Sequence, residues 1–217
     1  MTLATSRLRR LAQAPPAMPA AEQEHCDLCG LPVPAEHRHM LDLRSREPMC
    51  ACQACSILFD SAAAGAGHYR LIPRRRLRLD DFVLDDLMWE ELRLPVDMAF
   101  FFHNTAAERV SAYYPSPMGP TESLLTFDAW QALEAANPIL LDLAPDVEAL
   151  LVDRARGARR QWLVPIDDCY ALVGLIRTRW RGFTGGKEVW AGIAEFFDAL
   201  DRRSRPATTP RASAERG

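Results

Sequence analysis

Five of the six cysteines in this chain fall in one short stretch, as Cys26-Asp27-Leu28-Cys29-Gly30 and then Cys50-Ala51-Cys52-Gln53-Ala54-Cys55. Two cysteines with two residues between them can turn both sulfurs toward one ion, and a second such pair closes a tetrahedron. Cys26, Cys29, Cys52 and Cys55 are therefore the expected ligands of a four-thiolate site, with zinc as the expected metal. Gly30 suits the first knuckle, because glycine adopts without strain the positive φ that such a turn requires. The second pair lacks this glycine and runs into Ser56-Ile57-Leu58-Phe59, where a short helix can start and where a helix N-terminus favours thiolate charge.

Cys50 is a fifth cysteine where four are needed. If the strand continues through it, Cys50 and Cys52 face the same side, which makes Cys50 an alternative ligand; its plainer reading is a small buried hydrophobe. His25, His37 and His39 lie close enough in sequence to replace a thiolate, against their ordinary reading as strand or surface histidines. Four thiolates close the shell and favour a structural metal, since a catalytic zinc keeps one position for water. Iron in a rubredoxin-like site is the alternative, disfavoured because only the first pair carries a knuckle glycine. A disulfide set lacks the secretory signal that would support it.

The elements around the cysteines fit this role. His39 to Leu43 and Pro48 to Cys52 flank the polar Arg44-Ser45-Arg46-Glu47 and read as a hairpin, so knuckle, hairpin and helix follow one another as in a treble-clef-like zinc module. The expected organisation is a disordered arm over 1–22, a four-cysteine module over 23–60, an α+β domain over 75–203 and a disordered tail over 204–217. Between the two folded parts, Ala62 to Gly67 reads as a small flexible link. In the larger part, Asp81 to Leu92 reads as an amphipathic helix. Met98–Phe102 with Val110–Tyr114, and Val147–Val152 with Gln161–Ile166, read as two strand pairs, although the Glu, Ala and Leu of 147–152 also suit a helix. Pro115 to Pro120 reads as a chain-breaking loop. Thr126 is placed to cap a helix over Phe127 to Ala136, Asp167-Asp168 to cap a second one, and Gly186 to Arg203 carries the apolar stripe of a third.

The chain has 217 residues, 48% of them apolar, which suits one medium domain with a small module attached. A net charge of −3 provides no global field to recruit nucleic acid or an anionic membrane. The basic run Arg74 to Arg78 is followed at once by Asp80, Asp81, Asp85, Asp86, Glu90 and Glu91, a pairing that reads as self-neutralising surface rather than a phosphate site. No apolar run is long enough to span a bilayer, and the expected compartment is the cytoplasm. Gly185-Gly186-Lys187-Glu188 lacks both the earlier glycine and the Ser or Thr of a phosphate loop, and reads as a helix start. Cys169 reads as a buried structural thiol, and His103 as a strand-end histidine without a partner for base chemistry.

Taken together, several features resemble an uncharacterised, mainly actinobacterial family, a domain of unknown function encoded near high-affinity uptake [NiFe]-hydrogenase genes. They are Cys26-x-x-Cys29-Gly30, His37-x-His39 with Asp42, Cys50-Ala51-Cys52-x-x-Cys55, and the late run from Pro165 to Gly186. The resemblance implies a role beside hydrogenase production or electron transfer, with a hydrogenase subunit or maturation factor as partner, and it assigns no activity. The leading expectation is a non-enzymatic, zinc-binding accessory or assembly protein. The alternative is a redox protein, rubredoxin-like or thiol-based, serving hydrogenase electron transfer. A zinc-containing nucleic-acid binder using Arg74 to Arg78 ranks last.

Overall fold

Short runs of large apolar side chains build the central sheet. A computed structural model describes residues 23–60, 67–182 and 184–207. The expected arm at 1–22, most of the small-residue link and the last ten residues of the expected tail lie outside them. The N-terminal part forms β1 (Arg38–Asp42), β2 (Glu47–Ala51), α1 (Gln53–Phe59) and β3 (Tyr69–Leu71), the strands pairing antiparallel in the order β2-β1-β3.

The remainder begins with β4 (Leu77–Arg78), α2 (Asp86–Glu91), β5 (Met98–Asn104), β6 (Arg109–Ser116), β7 (Gly119–Ser123) and α3 (Phe127–Ala136). It continues through β8 (Glu148–Asp153), β9 (Arg160–Pro165), α4 (Ile166–Arg179), α5 (Gly186–Arg203) and β10 (Arg205–Pro206). Its seven strands lie in the order β10-β4-β9-β8-β5-β6-β7.

Both faces of this sheet are covered, and for that reason its central strands are nearly continuous apolar runs. Phe100, Phe102, Leu151, Trp162 and Val164 point to one face, where Leu172, Ile176, Ile193 and Phe197 of α4 and α5 cover them. Phe101, Leu150, Val152 and Leu163 point to the other, under Trp89 of α2, Trp130 and Leu133 of α3, and Leu140. Each such side chain contributes roughly 1.5–3 kcal/mol by leaving water. Leu41 of β1 and Ile72, just after β3, belong to the first of these cores, so the small sheet packs on the large one, while Cys26, Val33 and Cys55 form a separate small cluster with Leu28, Cys52 and Phe59.

The fold is mixed α and β, as the residue pattern indicates, with both expected strand pairs and the helices Phe127–Ala136 and Gly186–Arg203 in place. Glu148–Asp153 is strand, not helix, and Val147 lies in the turn before it. Other expectations need correction. The helix expected over Asp81 to Leu92 is confined to Asp86–Glu91, because the Asp85 side chain caps it by accepting from Met88 N–H at 2.8 Å. Upstream, both backbone groups of Val83 are held by Asn137: its Oδ1 accepts from Val83 N–H at 2.7 Å and its amide donates to the Val83 carbonyl at 2.8 Å.

The stretch expected as a loop at Pro115 to Pro120 is instead the β6–β7 turn, with Pro115 paired opposite Pro120. Two prolines are tolerated there because the pairing of β5 with β6 reaches only Tyr113 and β7 is an edge strand. Asp167 and Asp168 sit in the first turn of α4 rather than at its cap, which Pro165 occupies. Residues expected to begin the loose tail form β10, parallel to β4.

Candidate metal centre

Local backbone geometry shapes each half of the cysteine cluster. The chain turns through Gly30, whose φ of +74° is the left-handed conformation that only glycine adopts freely. Gly30 N–H donates to the Cys26 carbonyl and Cys26 N–H to the Leu31 carbonyl, each at 2.8 Å, closing the knuckle. On the other side Cys52 is the N-cap of α1, and its sulfur accepts from Cys55 N–H at 3.4 Å. Asp27 joins the halves: its N–H donates to the Cys50 carbonyl at 2.9 Å, and its carboxylate accepts from Cys50 N–H at 2.6 Å.

These constraints bring the sulfurs of Cys26, Cys29, Cys52 and Cys55 within 4.8 Å of one another. The Cys29 and Cys52 sulfurs are 3.8 Å apart. A tetrahedral ion with metal–sulfur bonds of about 2.3 Å requires a sulfur–sulfur edge of about 3.8 Å. All six cysteines are free thiols. Burial opposes ionisation of Cys26, but backbone groups of Cys52, Leu28 and Cys29 outweigh it and bring its pKa down to about 6. Burial, reinforced by the neighbouring sulfurs, pushes Cys55 up to about 12. The thiols thus differ in their readiness to lose a proton, and together they form a group that can hold a metal ion.

Cys50 lies outside this group and is half-buried rather than a buried hydrophobe. Strand β2 ends at Ala51, and Cys52, still extended, caps α1. The β1–β2 register instead places Cys50 directly opposite His39. One ligand atom from each of His37, His39 and Cys50 lies within 4.8 Å of the others, making a second potential metal-holding group. His25 is exposed and forms an isolated bridge with Pro32.

Residues distant in sequence orient the second cluster. His39 Nδ1 is 2.7 Å from Asp167 Oδ2, which raises the pKa of the imidazole above its ordinary value. His37 Nδ1 is 2.9 Å from the Pro34 carbonyl. Asp167 carries no sequence signal for this role; it is 128 residues from His39 and resembles a helix cap.

The basic run is used differently from its sequence reading. Arg78 pairs with neighbouring Asp80, but Arg75 reaches the buried Glu148 and Arg76 grips the buried Asp168 with two hydrogen bonds of 2.5 and 2.9 Å. Arg74 donates to the His37 carbonyl at 2.9 Å. Cys169 is fully buried, and burial pushes its thiol well up. His103 Nε2 is 3.6 Å from Glu134 Oε1.

One family model matches residues 25–204, a span containing every cysteine and both clustered histidines. The chain belongs to the family of unknown function DUF5947. Membership in DUF5947 gives the two clusters a common frame but no assigned chemistry. No curated protein and no solved structure matches this DUF5947 chain.

Proposed function

We propose that this DUF5947 chain is an accessory or assembly protein whose N-terminal part is locked by one structural zinc on Cys26, Cys29, Cys52 and Cys55. The observation that carries this reading is the convergence of four sulfurs within 4.8 Å, on a turn and a helix cap that match two-residue cysteine spacing. Zinc fits better than iron because a closed thiolate shell suits a redox-inert ion, and only one of the two turns is the glycine knuckle of rubredoxin-like sites. Treble-clef character is supported by the order of knuckle, hairpin (β1–β2) and helix (α1). The same part leaves Leu31, Ile57 and Leu58 exposed, apolar surface that suits a protein partner better than water.

The resemblance to a family encoded beside [NiFe]-hydrogenase genes names the partner to try first, a hydrogenase subunit or maturation factor. Two measurements on one natively expressed sample test the reading. Zinc without iron, a colourless protein and co-purification with a hydrogenase component are expected. Iron with a redox-active visible spectrum would replace this reading with the electron-transfer alternative. Failure to associate, together with unchanged hydrogenase assembly after gene deletion, removes the accessory role.

A further inference from the structure

His37 and His39 present a geometric problem that a second metal ion solves. Pro34 O is a carbonyl and can only accept, so the His37 nitrogen 2.9 Å away, Nδ1, carries a hydrogen. Asp167 Oδ2, a carboxylate oxygen 2.7 Å from His39 Nδ1, demands the same of His39. In neutral imidazoles both Nε2 atoms are then bare acceptors, yet they face each other at 3.1 Å. Two lone pairs at that distance repel unless something positive stands between them. Zinc–nitrogen bonds of about 2.0–2.1 Å set a tetrahedral nitrogen–nitrogen edge of about 3.3–3.4 Å, close to what is seen. The thiol of Cys50, held opposite His39 by the hairpin register, completes a group whose ligand atoms lie within 4.8 Å of one another.

We propose that His37, His39 and Cys50 bind a second divalent metal ion of the zinc type, distinct from the four-thiolate site. The surrounding hydrogen bonds are those that metal-binding histidines require. One ring donates to a carboxylate and the other to a backbone carbonyl, which fixes each tautomer with Nε2 directed inward. Three protein ligands leave one tetrahedral position for water. His37, His39 and Asp167 line an open cavity of about 490 Å³ that supplies such access. The other oxygen of this carboxylate, Asp167 Oδ1, is buried and has no hydrogen-bond partner among the described residues. Glu24, with an oxygen 3.7 Å from His37 Nδ1, adds negative charge, while Arg74 and Arg76 add positive charge from the cavity wall.

The competing explanation is a proton: His39 as imidazolium donates from Nε2 to His37. Metal stoichiometry of the full chain separates the two. With saturating zinc, about two equivalents should bind per chain, and with cobalt the spectrum should contain bands of an all-sulfur site plus weaker bands of a mixed nitrogen–sulfur site. His37→Gln and Cys50→Ser should each lose the mixed bands and about one equivalent while retaining the all-sulfur bands, which also report that the module has folded. A wild-type chain saturating at about one equivalent with all-sulfur bands alone overturns this proposal and leaves the first site standing. Two equivalents retained in both variants overturn it as well.

Discussion

Asp146 ties three separate segments to one carboxylate. Its side chain is fully buried, accepting from Arg46 at 2.6 Å, from Arg70 at 3.2 Å, and from the Thr105 N–H and hydroxyl at 3.0 and 2.7 Å. Arg46 lies in the β1–β2 turn and Arg70 in β3, whereas Thr105 lies in the β5–β6 turn, so one group joins the small sheet to the large one. Burial opposes ionisation, but Thr105 and Arg46 outweigh it and hold the carboxyl below the ordinary range. A depressed folded pKa means that its stabilisation is fully present above the unfolded value of about 3.9 and is lost as pH falls through the folded value.

Asp146→Ala should cost about 2–4 kcal/mol near neutral pH in denaturant titrations, with the gap from wild type narrowing below about pH 4. A gap independent of pH would show that packing, not charge, is what Asp146 supplies. On the proposed zinc reading, Cys26→Ser and Cys55→Ser should each abolish metal binding at the four-sulfur site and lower the unfolding midpoint, because metal binding contributes folding free energy. Zinc content and near-ultraviolet circular dichroism check this, and retained zinc with unchanged melting in both variants means that the ligand set is wrong.

Elements differ in how much of their existence is local. Helix α5 is preceded by its cap residue Gly185, whose φ is +85° and where a Cβ would lie 2.7 Å from Val189 Cγ1. The glycine pair at 185 and 186 is thereby explained by backbone and packing. Gly185→Ala should destabilise by at least about 1 kcal/mol, and a melting temperature equal to wild type would refute that. Asp85→Ala removes the cap of α2 and should cost about 1 kcal/mol.

Helix α5 was legible in the sequence because its apolar stripe has a helical period, and the hairpin β5–β6 because two aromatic-rich runs flank a short polar turn. The first turns of the helix expected from Asp81 were not, since an asparagine 54 residues away takes the backbone of Val83. The same distinction separates the metal clusters. Two-residue spacing announces Cys26, Cys29, Cys52 and Cys55. The His37, His39 and Cys50 group depends on cross-strand register and on Asp167, neither of which leaves a mark in local sequence.

For the whole molecule, the packing of the small sheet on the large one decides how loss of the proposed metal is felt. Leu41 and Ile72 are buried with Phe100, Leu151 and Trp162, and Arg75 and Arg76 are paired with buried acids of the large sheet. Chelation should therefore lower the midpoint of one cooperative unfolding transition. Two separate transitions in calorimetry, with the upper one unaffected by chelator, would show that the parts unfold independently. No helix among the described residues is long and apolar enough to cross a membrane.

The prolines at the margins of the seven-stranded sheet bear on self-association. Its outermost strands, β7 and β10, carry Pro120 and Pro206, and β10 is only two residues long. A proline cannot donate to an incoming strand, and so short an edge offers little to template one. Open sheets invite copies of themselves to stack edge to edge into fibres. Both borders of this sheet are blunted, so neither offers a ready template for edge-to-edge pairing with a second copy.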